Sequence, residues 1–171
     1  MNLLALCGSL RRVSMNAALL RATARVAPPG IVVEPFGDMG VLPLFNPDLE
    51  ARLPAAIARL HDAMVDCGAL LIASPEYAHG VSAVLKNALD WLVSFEGFVG
   101  KPVAIFNASP RSVHADAALR EILTTMSANI VTPACLALPL RGLNLSEDAM
   151  AQAHAAEIRA ALTRLAAEVH A

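Results

Sequence analysis

Apolar residues along this chain fall into two alternating rhythms. Short unbroken runs, Leu3-Leu4-Ala5-Leu6-Cys7, Ile31-Val32-Val33-Glu34-Pro35-Phe36, Ala69-Leu70-Leu71-Ile72-Ala73, Pro102 to Asn107 and Ile130 to Leu138, have strand length and composition. Between them lie stretches whose apolar residues recur every three or four positions. Ala17, Leu19, Leu20 and Ala24 predict a helix over roughly 14–27, closed by Pro28-Pro29-Gly30. Further helices are predicted near 51–67, over 80–93, and over 114–127, where Leu119, Ile122, Leu123 and Met126 share a stripe. Ser146, followed by Glu147 and Asp148, opens a last helix that runs toward the C-terminus. Alternating strands and helices, without repeats or a linker, predict one α/β domain over 1–171 around a parallel sheet. The third run is apolar throughout, as expected of a strand covered on both faces.

Proline suggests the strand order, because it cannot donate to a ladder and favours strand starts and edges. Pro35 ends the second strand, Pro133 lies inside the fifth, Pro102 starts the fourth, and strands one and three have none. The order 2-1-3-4-5 puts two and five on the edges and reverses between one and three. Ligands of open α/β sheets sit outside the carboxyl ends of strands at that reversal, so the loops after strands one, three and four should line the site. The connection Gly37 to Asp48 is longer than usual and is expected to cover a site or an interface.

The first of those loops is rich in donors. Gly8 cuts off the opening strand, and Ser9, Arg11, Ser14 and Asn16 crowd the turn into the first helix. A helix N-terminus presents unpaired N–H groups and the positive end of a dipole, which stabilises an anion. One glycine and no lysine argue against the three-glycine dinucleotide fingerprint and the P-loop. Side chains in place of bare backbone suit a terminal phosphate monoester. The competing reading leaves Ser14 as a helix cap and the arginines solvated.

Composition narrows the partners. Hydrophobic residues make up 56% and charged residues 16%, which leaves apolar surface for an oligomer interface. A net charge of −2, with 13 basic and 15 acidic residues scattered singly, gives neither a nucleic-acid stripe nor a lipid-binding patch. Cys7, Cys67 and Cys135 lie far apart without a C-x-x-C pair, as expected of reduced thiols in the cytoplasm. No positive leader precedes the first apolar run, so a signal peptide is not expected. Ile122 to Leu140 is uncharged, but Ser127, Asn129, Pro133 and Pro139 interrupt it, and a membrane span is not expected. His61, His114, His154 and His170 have no metal-ligand spacing, so no metal is assigned.

The second loop is the most specific. Ser74-Pro75-Glu76-Tyr77-Ala78-His79-Gly80 leads into Leu85-Lys86-Asn87-Ala88-Leu89-Asp90-Trp91. Together with Gly8-Ser9-Leu10-Arg11 … Ser14 … Asn16, and with Leu42-Pro43-Leu44-Phe45-Asn46-Pro47-Asp48, this resembles the NADPH-dependent FMN reductase family of flavodoxin-like proteins, which includes NAD(P)H-dependent quinone, chromate and azo-compound reductases. The family pattern has asparagine where this chain has Ala78.

The resemblance implies a flavodoxin-like three-layer sandwich with a five-stranded parallel sheet in the order 2-1-3-4-5. It also implies FMN as cofactor, NADPH or NADH as donor, a small-molecule acceptor and a homodimer or homotetramer. Ser9, Arg11, Ser14 and Asn16 match the phosphate loop; Pro75, Glu76, Tyr77 and Gly80 match the loop bordering the isoalloxazine ring. Tyr77 offers an aromatic wall, while proline and glycine allow backbone to approach a flat ring. His79 either donates to the reduced ring or fills the loop. The third loop, Asn107 to Ser112, lacks the glycine-rich turn of many relatives, with Ser109 its candidate polar contact. Chemistry on the flavin leaves no protein side chain with a catalytic role. Leu85, Leu89 and Leu92 are expected in the core or an interface, Trp91 in packing, and Lys86 with Asp90 as a weak surface pair. Two alternatives, a flavodoxin-type electron carrier and a flavin-binding protein without turnover, remain open on sequence alone.

Overall fold

The fold was obtained as a computed structural model, which describes residues 1–140, 142 and 146–169. Five strands form the main ladder, in the order β2 (Val32–Pro35), β1 (Asn2–Cys7), β3 (Ala69–Ala73), β6 (Pro102–Asn107) and β7 (Asn129–Ile130), all parallel. The expected order is therefore observed, with one addition. The fifth run is two strands, because Pro133 has no N–H for a ladder and sits in a 3-10 turn, Thr132–Ala134. Beyond it the chain returns as β8 (Leu136–Ala137), which pairs Phe106 and Asn107 of the same neighbour β6 and makes a sixth strand.

Side chains alternate across this sheet and fill two cores. Leu3, Ala5, Ala69, Leu71, Ala104 and Phe106 pack under α1 (Met15–Val26), α5 (Glu147–Ala153) and α6 (Ala155–Val169). Leu4, Leu6, Leu70, Ile72, Val103 and Ile105 face α2 (Ala55–Asp66), α3 (Ala83–Asp90) and α4 (Val113–Thr125). All five β3 residues are buried, which accounts for that run having no polar position. The parallel sheet expected from the element pattern, and the three-layer sandwich that the resemblance implies, are thus present.

Helix ends differ from the sequence reading for identifiable reasons. Pro54 stands before α2, so 47–52 winds separately as a 3-10 helix whose cap is Asn46, accepting from Asp48 N–H at 3.0 Å. The helix expected over 80–93 begins only after Ser82, whose hydroxyl accepts from Leu85 N–H at 3.2 Å. The segment before it pairs instead as a hairpin, β4 (Glu76–Tyr77) with β5 (Gly80–Val81). The last helix breaks at His154, which caps α5 before α6 starts. His170 lies outside the described residues.

The long connection after β2 is fastened to α3. Asn87 accepts from Phe45 N–H at 2.8 Å and donates to Pro43 C=O at 2.9 Å, while Trp91 Nε1 donates to the same carbonyl at 2.8 Å. Phe45 stands edge-on to the Trp91 indole, with ring centroids 5.1 Å apart. Trp91 is buried, as the packing assignment required, and Lys86 pairs with Asp90 at 2.5 Å on an open face where such a pair adds little.

Candidate functional site

The carboxyl ends of β1, β3 and β6 open into one cleft of about 450 Å³ at the reversal between β1 and β3. Strand one stops at Gly8, whose N–H donates to Ala73 C=O at 2.9 Å and continues the ladder. A Cβ on Gly8 would stand 2.2 Å from Ser74 Oγ and 2.6 Å from Ser82 Oγ, so only glycine lets the first loop leave the sheet this close to the second. Ser74 and Ser82 are themselves joined at 3.2 Å.

Ser14 caps α1, accepting from Ala17 N–H at 3.3 Å, and its carbonyl accepts from Ala18 N–H. The capping reading of Ser14 is therefore realised in the fold. The amides of Met15 and Asn16 find no acceptor among the described residues. Asn16 lines the cleft although it is only 8% exposed, and its buried Oδ1 has no hydrogen-bond partner. Arg11 is exposed on the cleft wall and makes no ion pair among the described residues. Beneath the loop, burial pushes the Cys7 thiol above its ordinary pKa, outweighing its hydrogen bonds to the Ser9 backbone and the Ser14 hydroxyl.

Pro75, Glu76, Tyr77 and Ser109 line the same cleft. Tyr77 is half exposed on the cleft wall. Glu76 also works as a strut: its Oε2 accepts from Ala115 N–H at 2.8 Å, and Ser112 supplies no side-chain cap of its own to α4. The third loop is shaped without glycine by Asn107, whose Oδ1 accepts from Ser109 N–H at 2.8 Å. Asn107, Ser74 and Ser112 are cleft residues that the motif comparison passed over; each stands at a strand end or helix start, the signal that could have found them.

Four expected residues do not line the cleft: Ser9, Ser14, His79 and Gly80. Ala78 and His79 form the two-residue turn of the β4–β5 hairpin, with φ of 48° and 58°. Such a turn favours asparagine and glycine, so alanine in place of the family's asparagine leaves Ala78 strained. The His79 ring stacks on His114 of α4.

The model of the NADPH-dependent FMN reductase family matches residues 1–141. An NAD(P)H-dependent FMN reductase of Pseudomonas aeruginosa is 40% identical over 109 residues, covering 62% of this chain but only 58% of that protein. A quinone reductase of Escherichia coli is 31% identical over 133 residues, 74% of this chain and 71% of its own. Among solved structures, the flavoenzyme NAD(P)H:(acceptor) oxidoreductase of Paracoccus denitrificans superimposes with a TM-score of 0.78 at 24% identity, over 99% of this chain and 95% of that one. At that identity the superposition speaks for the fold, and the sequence matches carry the assignment: the chain belongs to the NADPH-dependent FMN reductase family.

Proposed function

We propose that this protein is an FMN-dependent NAD(P)H oxidoreductase that passes electrons to quinones, flavins or similar small acceptors. The observation that carries the reading is the buried Asn16 Oδ1, which has no hydrogen-bond partner among the described residues, on a cleft that also holds the open end of α1 and an Arg11 guanidinium without an ion pair among those residues. A phosphate monoester fits this set. Rotation of the Asn16 amide offers it N–H, the Met15 and Asn16 main-chain amides complete the cradle, and Arg11 supplies the counter-charge.

Arg11 and Asn16 would hold the phosphate from the cleft wall, with Ser9 and Ser14 in the same loop, and Pro75, Glu76, Tyr77 and Ser109 would border the ring, with Gly80 in the hairpin that carries Tyr77. When bound, FMN supplies the redox chemistry, accepting electrons from a reduced nicotinamide and passing them to the acceptor. Tyr77 shields one approach to the cleft and leaves the mouth open for the two substrates in turn. Glu76 fixes the hairpin against α4 and thereby keeps Tyr77 in position.

We also read the assembly as a homodimer or homotetramer whose interface uses the long loop, since Leu44 and Val41 stand 84% and 65% exposed on a segment that Asn87 and Trp91 anchor. Three free thiols support a cytoplasmic location, and among the described residues no helix is long and apolar enough to cross a membrane.

The test is the visible spectrum of FMN-loaded protein without oxygen, before and after NADPH or NADH. Bleaching of the flavin band, followed by steady oxidation of the donor when a quinone is added, is expected. Failure of the protein to take up FMN, or a band untouched by either donor, overturns the proposal; electron exchange with a redox protein alone would make it a carrier.

A further inference from the structure

Two cavities meet at the carboxyl end of β6. The cleft of about 450 Å³ lies on one side of the loop Asn107 to Ser112, and a second cavity of about 380 Å³ lies on the other, against β8 and α4. Asn107 and Ser112 line both. Between them the chain makes a tight turn, in which Ser112 N–H donates to Ser109 C=O at 2.9 Å and Asn107 Oδ1 accepts from Ser109 N–H at 2.8 Å. Arg111 stands on that turn, flanked by Pro110 and Ser112 of the second cavity and two residues beyond Ser109 of the first. Its side chain is exposed and has no hydrogen bond or ion pair among the described residues. Most described cations are committed to carboxylates or carbonyls, as Arg59 is to Asp38 and Lys101 to the carbonyls of Met64 and Cys67. Arg11, Arg12, Arg52 and Arg111 are the exceptions, and Arg11, Arg12 and Arg111 lie on the loops after β1 and β6 that flank the cleft.

We propose that the second cavity receives the adenosine end of the nicotinamide dinucleotide donor and that Arg111 pairs with the donor's pyrophosphate where it crosses the turn. The inference rests on the reading of the protein as an NAD(P)H oxidoreductase and names a part of the site that reading leaves open. FMN and the nicotinamide ring share the first cleft, so the other half of the donor needs a place beside it. A cavity of about 380 Å³ falls within the roughly 300–1,000 Å³ of small-ligand sites. Pro110, Val113, Leu136 and Ala137 give it apolar surface for a purine. The carboxylate in its wall, Asp116, is paired with Arg120 at 2.8 Å, which offsets its repulsion of a phosphate. The pyrophosphate joins the two nucleosides, so it lies over the turn when they lie on either side of it. A guanidinium there offers charge-assisted, forked hydrogen bonds. Arg111 therefore serves both donors alike, because NADH and NADPH share the pyrophosphate and differ only at the adenosine ribose.

The experiment uses the protein loaded with FMN, its flavin content measured first. Initial rates with a quinone acceptor are taken for NADH, NADPH and N-benzyl dihydronicotinamide, a donor with neither phosphate nor adenosine. Arg111→Ala removes an exposed side chain without a described partner, so the fold should be kept. It is expected to raise KM for NADH and NADPH by roughly tenfold each and to leave the benzyl donor unchanged. Arg111→Lys, which keeps the charge and loses the fork, should recover part of that loss. Ala137→Trp, which fills the second cavity from an exposed position on β8, should act as Arg111→Ala does. Calorimetric titration of the same protein with ADP-ribose reads binding without turnover; wild type should bind it, and each variant that folds should bind it more weakly. The proposal is overturned by unchanged KM in either folded variant, by a loss confined to NADPH, which would put Arg111 on the ribose phosphate, by an equal loss with the benzyl donor, or by wild-type protein that ignores ADP-ribose. Protein that takes up no FMN brings down the oxidoreductase reading and this inference together. FMN uptake and reduction with KM values indifferent to Arg111 remove this inference alone.

Discussion

Replacing Asn87 with alanine isolates the fastening of the long loop. The side chain accepts from Phe45 N–H at 2.8 Å and donates to Pro43 C=O at 2.9 Å, with a longer 3.5 Å approach to Leu42 C=O. Two sound hydrogen bonds at about 1 kcal/mol each, plus part of the cost of leaving Phe45 N–H unpaired, give a loss of about 2–3 kcal/mol. Pro43 C=O keeps the Trp91 indole as donor, which limits the damage on that side. For a domain of this size the loss corresponds to a melting point lower by roughly 4–12 °C. Urea denaturation of wild type, Asn87→Ala and Asn87→Asp provides the assay. Aspartate preserves the acceptor for Phe45 and loses the amide donor, so its loss should fall between the other two. A loss below about 1 kcal/mol for the alanine variant, or an aspartate variant as weak as alanine, would refute the fastening and with it the fixed placement of Leu44.

Four further outcomes are expected. Arg11→Ala should weaken FMN binding by roughly ten- to a hundredfold, from the loss of a charge-assisted hydrogen bond, and leave riboflavin affinity nearly unchanged; equal losses in titrations with both would remove the phosphate assignment. Gly80→Leu should fold normally, because a Cβ there meets only Tyr77 C=O at 3.6 Å, yet lose flavin to intrusion on the ring; full flavin content would place the ring elsewhere. Ala78→Asn should stabilise the protein by about 0.5–1 kcal/mol in the same urea assay, since asparagine tolerates the 48° φ that strains alanine. Burial raises the Cys7 and Cys67 thiols above their ordinary 9.0, so the folded state binds these protons more tightly than the unfolded chain. Their contribution is then full below 9.0 and is lost as pH rises above it, and a Cys7→Ala, Cys67→Ala double variant should show a flatter decline in stability across that range.

Much of this architecture could be read from residue pattern because the relevant physics is local. Buried parallel strands must be apolar on both faces, which marked β1, β3 and β6, and proline's missing donor marked the edges. The same missing donor splits the fifth strand at Pro133, an effect visible in the sequence but decided by how β6 is long enough to pair both fragments. The β4–β5 hairpin escaped notice because its turn is Ala78-His79, without the asparagine–glycine signal that such turns display. In the site, the residues that face the cleft from the motif loops, Arg11, Asn16, Pro75, Glu76 and Tyr77, were legible from the motifs themselves. The second duty of Glu76 at the start of α4, and the grip of Asn87 and Trp91 on Pro43, join residues 39 to 48 positions apart. No local pattern announces such contacts; they exist only once the helices are packed.

That grip has a consequence for how the surface can change. Asn87 and Trp91 hold the connection by its peptide groups and by Phe45, so the anchoring makes no demand on what side chains stand at Val41 and Leu44. A combinatorial library randomised at those two positions should therefore return folded clones across polar and apolar replacements alike, which makes this stretch an interchangeable façade on a permanent frame.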